Sequence, residues 1–125
     1  MASEGLRNRR ILVVEDEFII AVDLQHRLET VGAVVIGPFA SIERAVAMIR
    51  SDAAIDAAVL DMNLGGEMAY SVADALVARR LPFVFTSGYG EAHLRDRYPN
   101  AVSCDKPYEF RALAMALEGV LSHAN

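Results

Sequence analysis

The sequence predicts an α/β domain: a doubly wound, five-stranded parallel sheet with helices on both faces. Three observations carry this expectation. Short runs rich in Val and Ile recur along the chain, segments of helical spacing fill the intervals, and the runs are apolar at consecutive positions. Strands apolar on both faces need cover on both sides, and alternating helices supply it. At 125 residues the chain has the usual size of one domain, able to bury roughly two thirds of the surface its unfolded form exposes. No internal repeat, low-complexity stretch or linker divides it, so residues 1–9 read as a polar lead-in and 10–125 as the domain.

The first strand is Ile11–Val14, stopped by Glu15 and Asp16. A helix follows from the spacing of Phe18, Ala21, Val22, Leu28 and Val31, with Gly32 where a left-handed residue often ends a helix. Val34–Ile36 is the second strand, and Ser41 is the expected N-cap of a helix carrying Ile42, Ala45, Val46 and Ile49. Ala57–Leu60 forms the third strand, ending on Asp61, before a helix marked by Ala69, Val72, Ala73 and Leu76. Pro82–Phe85 is the fourth, followed by Thr86, Ser87 and a short, weakly patterned helix in Glu91–Tyr98. Ala101–Ser103 is the fifth and leads to Lys106, and Phe110, Leu113, Ala114, Leu117, Val120 and Leu121 mark the last helix.

Composition excludes several classes. A formal net charge of −5 argues against a nucleic-acid groove or an anionic membrane surface, both of which need clustered Lys and Arg. The basic start MASEGLRNRR precedes an apolar run too short for a signal-peptide core, and no segment is long enough to span a bilayer. Cys104 is the single cysteine, so no internal disulfide forms and the cytoplasm is the expected compartment.

In a doubly wound sheet the ligand site lies at the carboxyl ends of the strands. Those ends carry Glu15 and Asp16, Asp61, Thr86 and Ser87, and Lys106. Two unit charges about 4 Å apart repel by roughly 4 kcal/mol at an effective dielectric near 20, so converging carboxylates call for a cation. Oxygen ligands with positions left for water suit Mg2+, held by Glu15, Asp16, an oxygen of Asp61 and the backbone carbonyl of Asn63. A carboxylate beside such an ion and a lysine can attack phosphorus, which makes Asp61 the phosphoacceptor and Lys106 a ligand of phosphoryl oxygens. The Thr86 hydroxyl can donate to the same group once it is present.

ILVVEDE, AAVLDMNL, FVFTSGYG and CDKPYE, in that order, resemble the response-regulator receiver domain of two-component signalling, over nearly the whole chain from about Arg10. The resemblance implies a flavodoxin-like fold of receiver type, Mg2+ on the acidic pair, and phosphorylation of Asp61 by a histidine kinase or histidine phosphotransfer protein. It implies sensing by Thr86 and Lys106 and a cis bond between Lys106 and Pro107. It also implies an output or dimer face made of the fourth helix, fifth strand and fifth helix, around Glu91–Tyr98 and Tyr108–Leu121 with Met115 exposed. Phosphorylation-dependent dimerisation is one outcome of such a face; the output protein is not identified by the sequence.

Three departures stand out. Ser103 occupies the position where many receivers carry the inward-turning aromatic. PFVFTSGYG resembles a subgroup with a PFxFATGY-like fourth strand, found among stand-alone regulators and general-stress receivers, which makes Tyr89 the candidate mobile aromatic between Gly88 and Gly90. The loop after Asp61 reads Met62-Asn63-Leu64-Gly65-Gly66, without the usual proline. Only Ser122-His123-Ala124-Asn125 follows the last helix, so the receiver is expected to be the whole protein, acting through partner recognition.

Two alternatives remain open at this stage. One is a degenerate receiver that binds partners without phosphorylation. The other is an aspartate-nucleophile phosphatase, which needs a second acid where this chain has Asn63. His26, His93 and His123 read as ordinary surface or helix residues, and Cys104 as a small half-buried side chain.

Overall fold

The computed structural model describes residues 4–51, 53–88 and 93–122. A short 3-10 turn, Glu4–Leu6, precedes β1 (Arg10–Val14), α1 (Phe18–Thr30), β2 (Val34–Phe39) and α2 (Ile42–Arg50). Then come β3 (Ala57–Asp61), a small hairpin of β4 (Asn63–Leu64) and β5 (Glu67–Met68), and α3 (Tyr70–Ala78). The chain continues through β6 (Phe83–Ser87), α4 (His93–Arg97), β7 (Val102–Asp105) and α5 (Phe110–Ser122). The five long strands form one parallel sheet in the order β2-β1-β3-β6-β7, the doubly wound arrangement the sequence predicts. No helix of the described residues is long and apolar enough to cross a membrane.

Consecutive apolar residues divide between the two faces because side chains alternate along a strand. Leu12, Val14, Ala58, Leu60, Phe83 and Phe85 pack with residues of α2 and α3 and with Leu94. Ile11, Val13, Ala57, Val59 and Val84 pack with Leu24 and Leu28 of α1 and Leu113 and Leu117 of α5. Ser41 caps α2 by accepting from the Arg44 amide at 3.2 Å, and Gly32 closes α1 at φ +94°.

β2 runs further than Val34–Ile36. Gly37 and Pro38 hide its end in the sequence, since both weaken a strand pattern. The register of β1 and β2 slips there, and pairing resumes at Phe39, whose carbonyl accepts from the Glu15 amide at 2.9 Å. Gly37 sits at φ +101°, and a Cβ on it would lie 2.9 Å from the Phe39 amide nitrogen and 3.0 Å from the Val13 carbonyl.

The stretch read as a lead-in also packs onto the domain. Leu6 is fully buried between α1 and α5, and the Asn8 amide donates to the Gly32 carbonyl at 2.8 Å. A single apolar residue in a polar segment gives no periodicity, so its burial has no signature in the sequence.

Candidate functional site

The site is assembled where β1, β3, β6 and β7 end. Asp61 is the last residue of β3, with its side chain only 3% exposed. One carboxylate oxygen accepts from the Lys106 ammonium at 2.8 Å, and the other from the Asn63 amide at 3.0 Å. Both bonds fix its orientation while the apolar strand behind it excludes water. Lys106 follows β7, held by its own amide donating to the Ser87 carbonyl at 2.8 Å and joined to Pro107 by a cis peptide. Burial alone would lower the Lys106 pKa, but the carboxylates of Asp61, Glu15 and Glu17 outweigh it and raise the value, so the ammonium stays charged.

Glu15 and Asp16 leave β1 toward the same point. One oxygen from each of Glu15, Asp16 and Asp61 lies within 4.8 Å of the others, the oxygen-only donor set of a hard cation such as magnesium. The Glu17 amide donates to Glu15 at 3.0 Å, whereas Asp16 makes no side-chain hydrogen bond or ion pair among the described residues. Lys106 pairs with Asp61 and leaves the Asp16 carboxylate without a partner among the described residues, so the residues present fit a bound cation.

Burial pushes the Glu15 carboxyl up from 4.5 to about 7; the Glu17 amide opposes this and the Asp61 carboxylate adds to it. In metal-free protein the folded state therefore retains a proton that the unfolded state loses. The associated stabilisation is complete below the unfolded value and disappears as pH rises through the folded one. Melting in EDTA should show stability falling between about pH 5 and pH 8, with Glu15→Gln flattening the slope. Stability that rises over this range would contradict the assignment.

Thr86 is the register partner of Asp61, and Cys104 is the partner of Thr86 on the other side. The Thr86 hydroxyl is buried and has no hydrogen-bond partner among the described residues. Such a group is costly to keep, and a polar ligand that arrives later gives it a reason. Ser103 accepts from the Arg95 guanidinium at 3.1 Å instead of presenting an aromatic ring. Tyr89 lies outside the described residues.

Sequence reasoning missed the β4–β5 hairpin. Gly65 and Gly66, at φ +62° and +91°, form its turn, and the Asn63 side-chain oxygen accepts from the Gly66 amide at 2.8 Å. Asn-Leu-Gly-Gly-Glu carried that signal, since paired glycines are favoured in two-residue hairpin loops. The turn reaches the acidic cluster: a Cβ on Gly65 would lie 3.7 Å from an Asp16 carboxylate oxygen. Phe18 and Val22, counted in the apolar spacing of α1, are instead 78% and 44% exposed, as is Ile19 at 81%, because Ala21, Leu24 and Leu28 form the buried face. Ile19 borders a groove lined by Glu15, Lys106, Pro107 and Tyr108. Burial pushes the Tyr108 hydroxyl up to about 12, the Glu15 and Asp61 carboxylates adding to it, so it remains a donor.

Fold and site together are those of a phosphorylation-type signalling domain, and solved structures similar to the chain are of that kind. No protein-family model matches the chain. No curated protein sequence matches it either. Among solved structures, a response regulator receiver protein from Sinorhizobium medicae WSM419 superposes with a TM-score of 0.83 at 26% identity, covering 96% of this chain and 99% of that one. SdrG from Sphingomonas melonis Fr1 is 38% identical, with a TM-score of 0.77 over 91% of this chain and 97% of that one. The non-phosphorylated HemR receiver domain from Leptospira biflexa is 29% identical, with a TM-score of 0.80 over 92% and 95%. The chain belongs to the response regulator receiver domains.

Proposed function

We propose that this receiver is a magnesium-dependent switch in which Asp61 accepts a phosphoryl group from a histidine kinase or a histidine phosphotransfer protein. The observation that carries the reading is the Asp61 carboxylate itself, buried, held by Lys106 and the Asn63 amide, and clustered with Glu15 and Asp16. An Asp61 oxygen forms a bond to phosphorus as the phosphorus–nitrogen bond of the donor breaks, and the electron pair leaves on the imidazole. Lys106 stays charged and binds phosphoryl oxygens, and Thr86 donates its unpartnered hydroxyl to one of them. Glu15, Asp16, Asp61 and the Asn63 carbonyl would hold magnesium, which would supply the remaining positive charge.

The exposed Ile19 and Ile20 in the groove with Lys106 and Tyr108 form an apolar face next to the acceptor, where the phosphodonor docks. The output partner binds the face of α4, β7 and α5, where Met115 is 64% exposed. A phosphorylation-dependent dimer would use the same face. PFVFTSGYG supports membership of the subgroup with a PFxFATGY-like fourth strand, and residues 10–125 form the receiver unit with 1–9 as its lead-in. The single cysteine supports a cytoplasmic location.

The test is intact-protein mass spectrometry after incubation with acetyl phosphate and magnesium. A single phosphoryl adduct is expected, absent in Asp61→Asn and absent in EDTA. If a receiver of known activity is modified in parallel and this chain is not, the reading fails in favour of a phosphorylation-independent binding module.

A further inference from the structure

α4 is five residues long, and Leu94 is its fully buried apolar anchor. Polar contacts hold it on two sides. Toward β7, Arg95 donates to the Ser103 hydroxyl at 3.1 Å and pairs with Asp105 at 3.0 Å. Toward α3 the contacts are denser. Tyr98, just past α4 and 5% exposed, packs edge-on against Phe83 and donates its phenol to Asp74 at 2.8 Å. Arg97 donates to the same phenol oxygen at 3.0 Å, reaches Asp74 at 3.6 Å, and lies 4.3 Å above the Tyr70 ring. The Tyr70 hydroxyl is 3.0 Å from a ring nitrogen of His93.

This clamp is connected to the acceptor by a short path. Met62 follows Asp61, its amide donates to the Thr86 carbonyl at 3.3 Å, and its carbonyl accepts from the Ala69 amide at 2.7 Å. Ala69 is the residue before Tyr70, which begins α3. A displacement of the main chain at Asp61 therefore passes, across one hydrogen bond, to the helix end that carries Tyr70. At the far end are partly exposed polar groups, whose bonds exchange with water at small net cost. Such contacts can break without unfolding the packed faces of the sheet. The position where an inward-turning aromatic would otherwise act is taken by Ser103, bound to Arg95.

We propose that Tyr70 and Tyr98 are positioning residues of the switch: with Asp74, Arg97 and His93 they hold α4 in its resting place, and the phosphoryl state of Asp61 is read at α4 through this clamp. This rests on Asp61 being the phosphoacceptor. Coupling of this kind is reciprocal, so a change that loosens the clamp must also favour phosphorylation.

The experiment combines hydrogen exchange of the segment 93–98, before and after adduct formation from acetyl phosphate, with the equilibrium affinity for beryllofluoride and magnesium as a phosphoryl mimic, in wild type, Tyr98→Phe and Tyr70→Phe. The second variant removes only a partly exposed hydroxyl and guards against misfolding of the first. In wild type, phosphorylation should speed exchange in this segment. Both variants should exchange faster before phosphorylation, by about threefold to tenfold, gain less on phosphorylation, and bind beryllofluoride more tightly by a similar factor. Faster exchange with an unchanged affinity for beryllofluoride overturns the proposal, because a merely structural clamp would give that result. An adduct on wild type with no change at 93–98 overturns the clamp and leaves the phosphoacceptor standing; no adduct on wild type overturns both.

Discussion

Replacing Asp16 with Asn is expected to move two measurements in opposite directions: phosphorylation of Asp61 by acetyl phosphate falls by about a hundredfold or more, while the metal-free protein melts at a higher temperature. The first follows from the loss of a cation ligand at a site whose task is to balance developing negative charge, where one such electrostatic contribution is worth about a hundredfold to a thousandfold. The second follows from the cluster itself. Glu15, Asp16 and Asp61 present oxygens within 4.8 Å of one another, and Asp16 has no compensating side-chain partner among the described residues. Asn keeps the shape and removes the charge, and relief of about 1–2 kcal/mol corresponds to a few degrees in a domain of this size.

Melting curves in EDTA and in magnesium check both halves. Wild type should gain stability with magnesium as RT ln(1 + [L]/Kd), and the variant should gain little. A variant that melts lower in EDTA would mean that Asp16 has a structural partner; one phosphorylated at the wild-type rate would remove it from the metal site. The same comparison separates Asp16 from Asp61. Losing Asp61 would leave Lys106 without its 2.8 Å partner, so relief of repulsion there is offset by a stranded ammonium.

The sheet and its helices were legible because burial on two faces writes itself into consecutive apolar residues. Leu60 and Phe85 belong to one face, Val59 and Val84 to the other, and neither face could be polar. The strand-end residues were legible for a related reason: Asp61, Thr86 and Lys106 interrupt or end apolar runs, and strand order brings those interruptions to one edge. What was not legible depended on single residues or on contacts between distant segments. Leu6 is one buried side chain in a polar stretch, and Gly37-Pro38 disguises a strand that continues to Phe39. The tie between Tyr70 and His93, or between Asp74 and Tyr98, cannot be read from spacing, because it requires knowing that α3 and α4 lie side by side.

Converting Thr86 to Val is expected to stabilise the resting protein while uncoupling it from phosphorylation. In the resting state the Thr86 hydroxyl is buried, without a partner among the described residues, so exchanging it for a methyl group of similar shape removes an unmet polar group. The gain should be about 1 kcal/mol, seen as a modest rise in melting temperature. Asp61, Lys106 and the acidic pair are untouched, so the adduct still forms. What is lost is the hydrogen bond from the hydroxyl to the phosphoryl group, worth about 1.5–3 kcal/mol when the acceptor is charged, or roughly a tenfold to hundredfold shift in the equilibrium that phosphorylation drives. Hydrogen exchange at 93–98 should then respond weakly to an adduct of full stoichiometry. A hydroxyl that instead has a structural task would make the variant less stable before any phosphoryl group arrives, so the sign of the change in melting temperature distinguishes the two. The arrangement is economical in a physical sense: the cost of one unsatisfied hydroxyl in the resting state is the difference that lets a phosphoryl group select the other state.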